Sequence, residues 1–401
     1  MVDWKPFKND TLLSIVTQCF RDNSLYIPPI MLVRLMSSIG CHLFNLANFQ
    51  SRTILDGPYP RNYRMSTGLF APSGYCKSTF LKFLFHKTGL FNRKDLPCDV
   101  RGTFTPQCWV GTRLTREEDS ADPVAVFARF ATGMVAAEEF ARLVDLMDSD
   151  GREPDEVYLL QGLDTPYTSK EHCLGVVEHE GICTSIYPAL RPPAFPMRMV
   201  SGLGRRLTWD LQLPGPYEFG ELEKARRKGR TQGTTHSFSE YRAWVQTELI
   251  HIMSGLGAEI TPLLDLTEIH EWISQHRQPP FIADILERLA IGYSIVNGTY
   301  PEIPVTTAVD ELFRSEILNR RVLKSDCMSQ AVRNIIQSHA RQECTAGTPR
   351  WVETEIQTFL MDYYQLSYVQ ARGAVASAVG QGLVEYERTG ILIAPPHIID
   401  V

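Results

Sequence analysis

The chain has 401 residues, of which 44% are hydrophobic, so it is long enough for two or three globular domains. Its net charge of −6 excludes a general electrostatic attraction to nucleic acid, and any such contact requires a local patch. Nine cysteines without paired spacing indicate a reducing, intracellular compartment, the cytoplasm or nucleoid, rather than a disulfide framework.

Two stretches near the N-terminus, residues 10–20 and 28–48, carry apolar residues at helical spacing. The second includes most of the most apolar part of the chain, but Arg34 and His42 interrupt it. We therefore expect no membrane span and predict a helical segment over residues 1–64.

The segment "APSGYCKSTFLKFL" follows a candidate strand and leads into a helical pattern, which is the context of a phosphate-binding loop. Lys77 can reach the β- and γ-phosphates, Ser78 can offer its hydroxyl to Mg²⁺, and Gly74 lets the backbone approach phosphate. Cys76 stands where a glycine is usual, and at positive φ its Cβ would cost about 1–2 kcal/mol. The candidate nucleotide-binding residues are Pro72, Ser73, Gly74, Tyr75, Cys76, Lys77, Ser78 and Thr79.

A pair of carboxylates, Glu138 and Glu139, follows an apolar strand about sixty residues further on. A nucleotide site needs one carboxylate to hold Mg²⁺ and another to polarise the attacking water. A solvated pair of glutamates opening a helix is the alternative. The order of the two motifs favours a site that binds ATP and Mg²⁺.

The rest of the chain alternates strands and helices, which predicts an α/β core with a mainly parallel sheet. The run "ELEKARRKGRTQGTT" has the composition of a charged linker, and residues 240–320 return to helical periodicity. The last 72 residues predict three helices and a two-strand hairpin that turns at Thr389 and Gly390. Three helices and a β-wing make a winged helix.

These motifs resemble the minichromosome-maintenance (MCM) branch of AAA+ helicases and its viral and plasmid relatives. The phosphate loop of that family has the form G-x-P-G-x-A-K-S, with a small residue before the lysine, and Cys76 occupies that place here. The family's "GVCLIDEFDKM" is similar to "GMVAAEEFARL", which implies that Glu138 is the metal-associated residue and Glu139 the catalytic one. The family's N-terminal zinc and OB-fold region has no counterpart in residues 1–64.

Further matches to the family follow in the same order. "TSIYPALRP" is similar to "TSVLAAANP", which implies that Arg191 stands at the sensor-1 position, normally an Asn. "GLGRRLTWDL" is similar to "LLSRFDLIF", which implies that Arg205 is an arginine finger, with Arg206 as the alternative. The expected sensor-2 arginine aligns near Phe281, and Arg277 is a candidate replacement. The implied domains are a helical segment at 1–64, an α/β P-loop AAA+ core at 65–245, a helical lid at 246–325 and a winged helix at 326–401.

Contacts with DNA are predicted at two places. The segment "TSKEHCLGVVEHEG" resembles the hairpin that family members push into their central channel, and its DNA-facing residues would be Lys170 and His172. The winged helix offers Arg372 and Arg388, which are few for phosphate neutralisation, so docking of protein is an equal alternative. A basic run is a third candidate, with a solvated face as its alternative: Lys224, Arg226, Arg227, Lys228 and Arg230.

Two functions remain open from the sequence. The first is an ATP-hydrolysing motor, an MCM-like replicative helicase on single-stranded or forked DNA, assembled as a homo-oligomeric, hexameric ring. The second is a nucleotide-binding adaptor for DNA or protein with little or no ATP turnover. Arg191, Phe281 and Glu138 depart from the family and favour the adaptor, whereas Lys77, Glu139 and Arg205 favour the motor.

Overall fold

The computed structural model describes residues 11–102, 126–138, 140, 154–172, 175–193, 196–197, 202–231, 236–259, 264–344 and 347–395. In chain order, the first half forms α1 (Leu12–Asp22), α2 (Pro29–Ser51), β1 (Leu55–Asp56), β2 (Tyr59–Pro60), β3 (Ser66–Phe70), α3 (Lys77–Phe85), β4 (Cys98–Arg101), α4 (Val126–Arg129), β5 (Met134–Ala137), α5 (Pro154–Asp164), β6 (Tyr167–His172), β7 (Gly175–Glu180) and β8 (Ser185–Leu190). The second half forms α6 (Gly202–Arg206), β9 (Leu207–Leu211), α7 (Pro216–Thr231), α8 (Phe238–Glu259), α9 (Thr267–Gln275), α10 (Pro280–Val296), α11 (Thr307–Lys324), α12 (Cys327–Gln342), β10 (Arg350–Val352), α13 (Glu353–Tyr364), α14 (Tyr368–Gly380), β11 (Glu385–Arg388) and β12 (Ile391–Ile393).

A five-stranded parallel sheet lies at the centre, in the order β4-β5-β8-β3-β9. Nearly all residues of its strands are buried because both faces are covered, as in other parallel sheets. In β5, for example, Met134 and Ala136 belong to one hydrophobic core, and Val135 and Ala137 belong to the other. The predicted α/β class with a parallel sheet is confirmed.

The two faces of the sheet are covered by different parts of the chain. One core joins the sheet to α1, α2, α3, α8, α10 and most of α11, and the other joins it to α5, α12, α13 and α14. The N-terminal helices and the C-terminal helices therefore lie on opposite faces. The first core runs across the predicted boundaries after residues 64 and 245, and the second runs across those after residues 245 and 325. The division into domains stays a prediction.

Helix α2 is an interior element of the first core. It is long and apolar enough to cross a bilayer, but 89% of its most apolar stretch is buried inside the fold. Both polar residues that interrupt it are fully buried and have partners. Arg34 Nη1 donates to Thr208 Oγ1 at 2.7 Å and pairs with the buried Glu316, and the His42 ring contacts the Ser185 hydroxyl.

Helices α2 and α10 touch backbone to backbone at two glycines. A Cβ added at Gly40 would lie 2.0 Å from the Gly292 carbonyl oxygen, and one added at Gly292 would lie 1.9 Å from the Ser37 carbonyl oxygen. The Cys41 thiol also donates to the Arg288 carbonyl oxygen at 2.8 Å. Only glycine fits this crossing, which fixes the N-terminal segment to the helical region far along the chain.

The prediction of a linker in the charged run is wrong as far as residue 231, because α7 extends to that residue. Two ion pairs at helical spacing, Lys224–Glu221 and Arg227–Glu223, support the helix, and Leu222 anchors it in the interior. Charge alone was a poor guide, since a helix needs only a narrow apolar side to pack.

The C-terminal part contains the three predicted helices, α12, α13 and α14, and the predicted hairpin of β11 and β12. Gly390 has φ +78 at the turn, a conformation that favours glycine. The sequence analysis did not predict β10, which pairs with β12 to complete a three-stranded antiparallel sheet.

Candidate functional site

The segment between β3 and α3 is a tight loop at the carboxyl edge of the sheet. Its amide at Ala71 donates to the Leu190 carbonyl oxygen at 3.2 Å, which ties the loop to the end of β8. Gly74 has φ +78, and α3 begins at Lys77 with no side-chain cap and no acidic residue in its first turn. The positive end of the helix dipole at this start therefore favours an anion.

Cys76 adopts the left-handed conformation, with φ 62 and ψ 10. The sequence left the sign of φ at this position open. The positive sign is the strained case, because a Cβ in this conformation costs about 1–2 kcal/mol. Non-glycine residues held in such conformations cluster at functional sites. Cys76 therefore keeps the left-handed backbone conformation that a glycine would adopt at this position.

The Lys77 side chain folds back over the loop. Its Nζ donates to the Pro72 carbonyl oxygen at 3.0 Å and to the Ala71 carbonyl oxygen. Tyr75 points the other way, into the interior, where its ring packs against Phe219 at 5.5 Å between centroids. Burial raises the pKa of the Tyr75 phenol, so it stays neutral and supports the loop from behind.

A cavity of about 670 Å³, here called the loop cavity, opens in front of this loop. Because parallel strands end at the same edge of a sheet, the segments after β3, β5 and β8 all reach it. Of the predicted site residues it gathers Ser73 to Thr79, Glu138 and Arg191, but not Pro72. Its lining is Ser73, Gly74, Tyr75, Cys76, Lys77, Ser78, Thr79, Glu138, Phe140, Ala189, Leu190, Arg191 and Arg226.

Glu138 follows β5 directly and makes an ion pair with Lys82 of α3. Glu138 Oε1 lies 2.5 Å from Lys82 Nζ, but the two atoms do not have hydrogen-bond geometry. Ser78 lines the same cavity, so a hydroxyl and a carboxylate, both hard oxygen ligands, share the space that Mg²⁺ requires. The described residues contain no cluster of three or more His, Cys, Asp or Glu.

Arg191 and Arg226 bring positive charge to the loop cavity from two directions. Arg191 follows β8 and is exposed, and no carboxylate pairs with it in the described ranges. Arg226 comes from α7, and its Nη2 lies 3.1 Å from both the Gly74 carbonyl oxygen and the Cys76 sulfur. From the sequence, Arg226 was predicted only as part of a basic run, because no motif relates that run to the phosphate loop.

Arg205 lies at the opposite edge of the sheet, just before β9. A strand of five residues spans roughly 17 Å, so Arg205 is far from the loop that follows the neighbouring β3. Its guanidinium stands 5.9 Å from the centre of the Phe281 ring. Arg206, the alternative finger, is paired with Asp164 through two hydrogen bonds.

A second cavity, of about 570 Å³ and here called the arginine cavity, surrounds Arg205. Three of its four arginines have carboxylate partners: Arg206 with Asp164, Arg288 with Asp284, and Arg61 with Asp284. Arg205 has none within the part of the chain that is described. Its lining is Leu55, Asp56, Arg61, Asn62, Met65, Asp164, Arg205, Arg206, Phe281, Asp284, Ile285 and Arg288.

Some predicted site residues fall outside the described part of the chain, and others do not line either cavity. Glu139 lies outside the described residues, and so do the side chains of Lys170 and His172, although the backbone of β6 and β7 forms the expected antiparallel hairpin. Arg372 stands over the ring of Tyr368 at 5.7 Å, and Arg388 is exposed on β11.

No protein-family model matches this chain, and no curated protein matches it. We therefore infer function from the geometry of the loop cavity and its surroundings.

Proposed function

We propose that the chain is an AAA+ motor that binds ATP and Mg²⁺ at the loop after β3 and hydrolyses ATP in a homo-oligomeric ring on DNA. The observation that carries the proposal is the loop cavity, where Lys77, Glu138 and Arg191 meet from separate strands. The strand order supports it, because β3 and β8 are neighbouring strands, so the loop after β3 and Arg191 after β8 line one cavity.

The phosphates of ATP would replace the carbonyl oxygens that Lys77 Nζ now contacts. The helix start at α3 and the Arg226 guanidinium would face the same charge. Ser78 and Glu138 would hold Mg²⁺, which neutralises phosphate charge when bound, and Glu138 would exchange its ion pair with Lys82 for that contact.

Hydrolysis adds water to the γ-phosphorus and breaks its bond to the bridging oxygen. Glu139 is proposed to take the proton of the attacking water, and Arg191 to contact the γ-phosphate. Arg205 cannot reach its own loop, so it is proposed to stabilise the transition state in a neighbouring copy. This geometry requires an oligomer for turnover.

The DNA-binding part of the proposal has separate support. A hairpin of β6 and β7 stands between β5 and β8 in the chain order, in the place of the hairpin that members of the resembled family push into their channel. The three helices and three-stranded sheet at the C-terminus have the element order of a winged helix. Lys170, His172, Arg372 and Arg388 remain the proposed contacts.

An adaptor that binds ATP without turnover is the second candidate. The ion pair between Glu138 and Lys82 favours it, because it occupies the carboxylate that a metal needs. ATP turnover measured with and without single-stranded DNA separates the two functions. The motor requires turnover that the Glu139→Gln variant loses while it retains bound ATP, whereas binding without turnover would support the adaptor.

A further inference from the structure

A third cavity, of about 760 Å³ and here called the aromatic cavity, adjoins the phosphate loop on the side of α7. It shares Ser73, Gly74 and Arg226 with the loop cavity, so the two cavities border the same part of the loop. Helices α7, α12 and α13 form its walls. Its lining is Ser73, Gly74, Pro216, Phe219, Gly220, Leu222, Glu223, Arg226, Arg227, His339, Gln342, Glu343, Trp351, Phe359 and Tyr363.

The walls of the aromatic cavity are built from rings in contact with one another. Tyr363 lies 4.4 Å from Phe219 and 4.4 Å from Phe359, and it stays 39% exposed. Trp351 stacks on His339 at 4.2 Å. Ring faces of this kind stack with a planar nucleobase, and the stacking does not depend on which base is bound.

The direction of a bound nucleotide follows from the groups on each side of the loop. Glu138 and Arg191, which suit the terminal phosphate and its metal, line only the loop cavity. The nucleoside end of the same molecule must then leave on the other side of Gly74, and the aromatic cavity lies there.

Polar groups also stand at the rim of the aromatic cavity, at the end of α12. Gln342 and Glu343 are exposed, and their side chains have no hydrogen-bond partner within the described residues. An amide and a carboxylate can hydrogen-bond to the exocyclic amine of adenine or to ribose hydroxyls. Together these features complete a ligand site of ordinary size and composition.

We propose that the aromatic cavity is the nucleoside subsite, which takes the adenine and ribose of the ATP whose phosphates bind at Lys77. The C-terminal helices are then part of the nucleotide site and sense its occupancy directly. This inference rests on the proposed function, since it concerns the same bound molecule.

The test compares ATP with inorganic tripolyphosphate, which carries the phosphates but no nucleoside. A Cβ at Gly220 would meet no atom within 4 Å, so Gly220→Leu fills the aromatic cavity without a backbone clash. Calorimetry should show that Gly220→Leu and Tyr363→Ala each weaken ATP binding about tenfold or more and leave tripolyphosphate binding unchanged. The matched controls are Gly255→Leu, on an equally open helical glycine, and Met361→Ala, an exposed neighbour on α13.

Each outcome decides one proposal. ATP affinity equal to wild type in both cavity variants would overturn the nucleoside subsite and leave the proposed function standing. A wild-type chain that binds neither ATP nor tripolyphosphate would overturn the proposed function and the subsite together. If Gly220→Leu does not fold, Tyr363→Ala decides the question in the same assay.

Discussion

The two edges of the parallel sheet differ in how their charged groups are arranged. At the carboxyl edge, Lys77 and Arg226 contact backbone oxygens of the loop, which phosphate oxygens can replace. At the amino edge, most arginines are already matched with carboxylates, and Arg205 alone of the four in the arginine cavity lacks one in the described part of the chain. One edge is prepared for an anion, whereas the other presents a single arginine outward. Because a strand's length separates them, a reaction that uses both edges needs two copies of the chain.

The largest effect should come from the carboxyl edge. Lys77→Ala removes the ammonium group from the loop, and we expect ATP binding to fall below detection because no other side chain on the loop replaces its charge. Equilibrium binding of ATP measures this. Thermal unfolding should stay within a few degrees of wild type, since the Lys77 ammonium group donates to loop carbonyls and the residue belongs to neither hydrophobic core. An unchanged ATP affinity would remove the loop from the site.

Removal of Arg205 should separate binding from chemistry. Arg205→Ala should leave ATP binding nearly intact and lower turnover by a factor on the order of 10³, because a finger supplied in trans acts on the transition state. Arg61→Ala, in the same cavity but paired with Asp284, is the matched control and should retain turnover.

Mixing sharpens this prediction. Arg205→Ala and Lys77→Ala subunits are each inactive, but a mixed oligomer contains interfaces with an intact loop and an intact finger. Recovery of ATPase activity on mixing is expected. Mixed oligomers verified by mass that stay inactive at every ratio would contradict a role for Arg205 in trans.

Stability should depend on pH through His42, which serves the fold at the amino edge. Its Nε2 donates to the Thr132 carbonyl oxygen at 3.1 Å and its Nδ1 accepts from the Ser185 hydroxyl, so the buried ring is neutral. Burial lowers the pKa of His42 to about 4 from 6.5. The unfolded chain therefore takes up the proton first, and the contribution of His42 is complete above pH 6.5 and declines by about 3 kcal/mol as pH falls to 4.

Urea unfolding of wild type and His42→Asn between pH 4 and 7 measures this contribution. Burial raises the pKa of Asp210 to about 6, which makes stability fall as pH rises through the same range. The difference between the two proteins cancels the Asp210 effect. A difference that does not change with pH would show that His42 is not neutral in the fold.

The smallest effect should come from Arg226. Arg226→Ala is expected to weaken ATP binding about tenfold, the value of one partly exposed charge-assisted hydrogen bond. Lys224→Ala is the control on the same helix, since Lys224 pairs with Glu221 and lines neither the loop cavity nor the aromatic cavity. Equal affinities of the two variants would exclude Arg226 from the phosphate contacts.

The sequence predicts local elements well because their signals are local. The strand before Ala71, the helix from Lys77 and the strand before Glu138 are all present. That the phosphate loop and Glu138 lie at one edge of the sheet also follows from the sequence, since it needs only parallel strands and the order of the motifs. Arg226 could not be predicted, because its contact joins residues 150 positions apart in the chain without a motif.

The left-handed backbone at Cys76 was equally beyond the sequence, which allowed both signs of φ. The packing of the N-terminal and C-terminal parts on opposite faces of the sheet also has no sequence signature. Amphipathic helices carry an apolar side but do not specify which face of a sheet they cover.

The glycine contact between α2 and α10 can form only after the ribosome has made both helices. About 250 residues separate Gly40 from Gly292, and at ribosomal rates of roughly 5–20 residues per second α10 emerges some tens of seconds after α2. During this interval a 23-residue apolar helix has no partner for its tightest contact. The nascent chain thus exposes a long apolar helix until α10 is made, and a chaperone that holds this segment should raise the yield of folded protein.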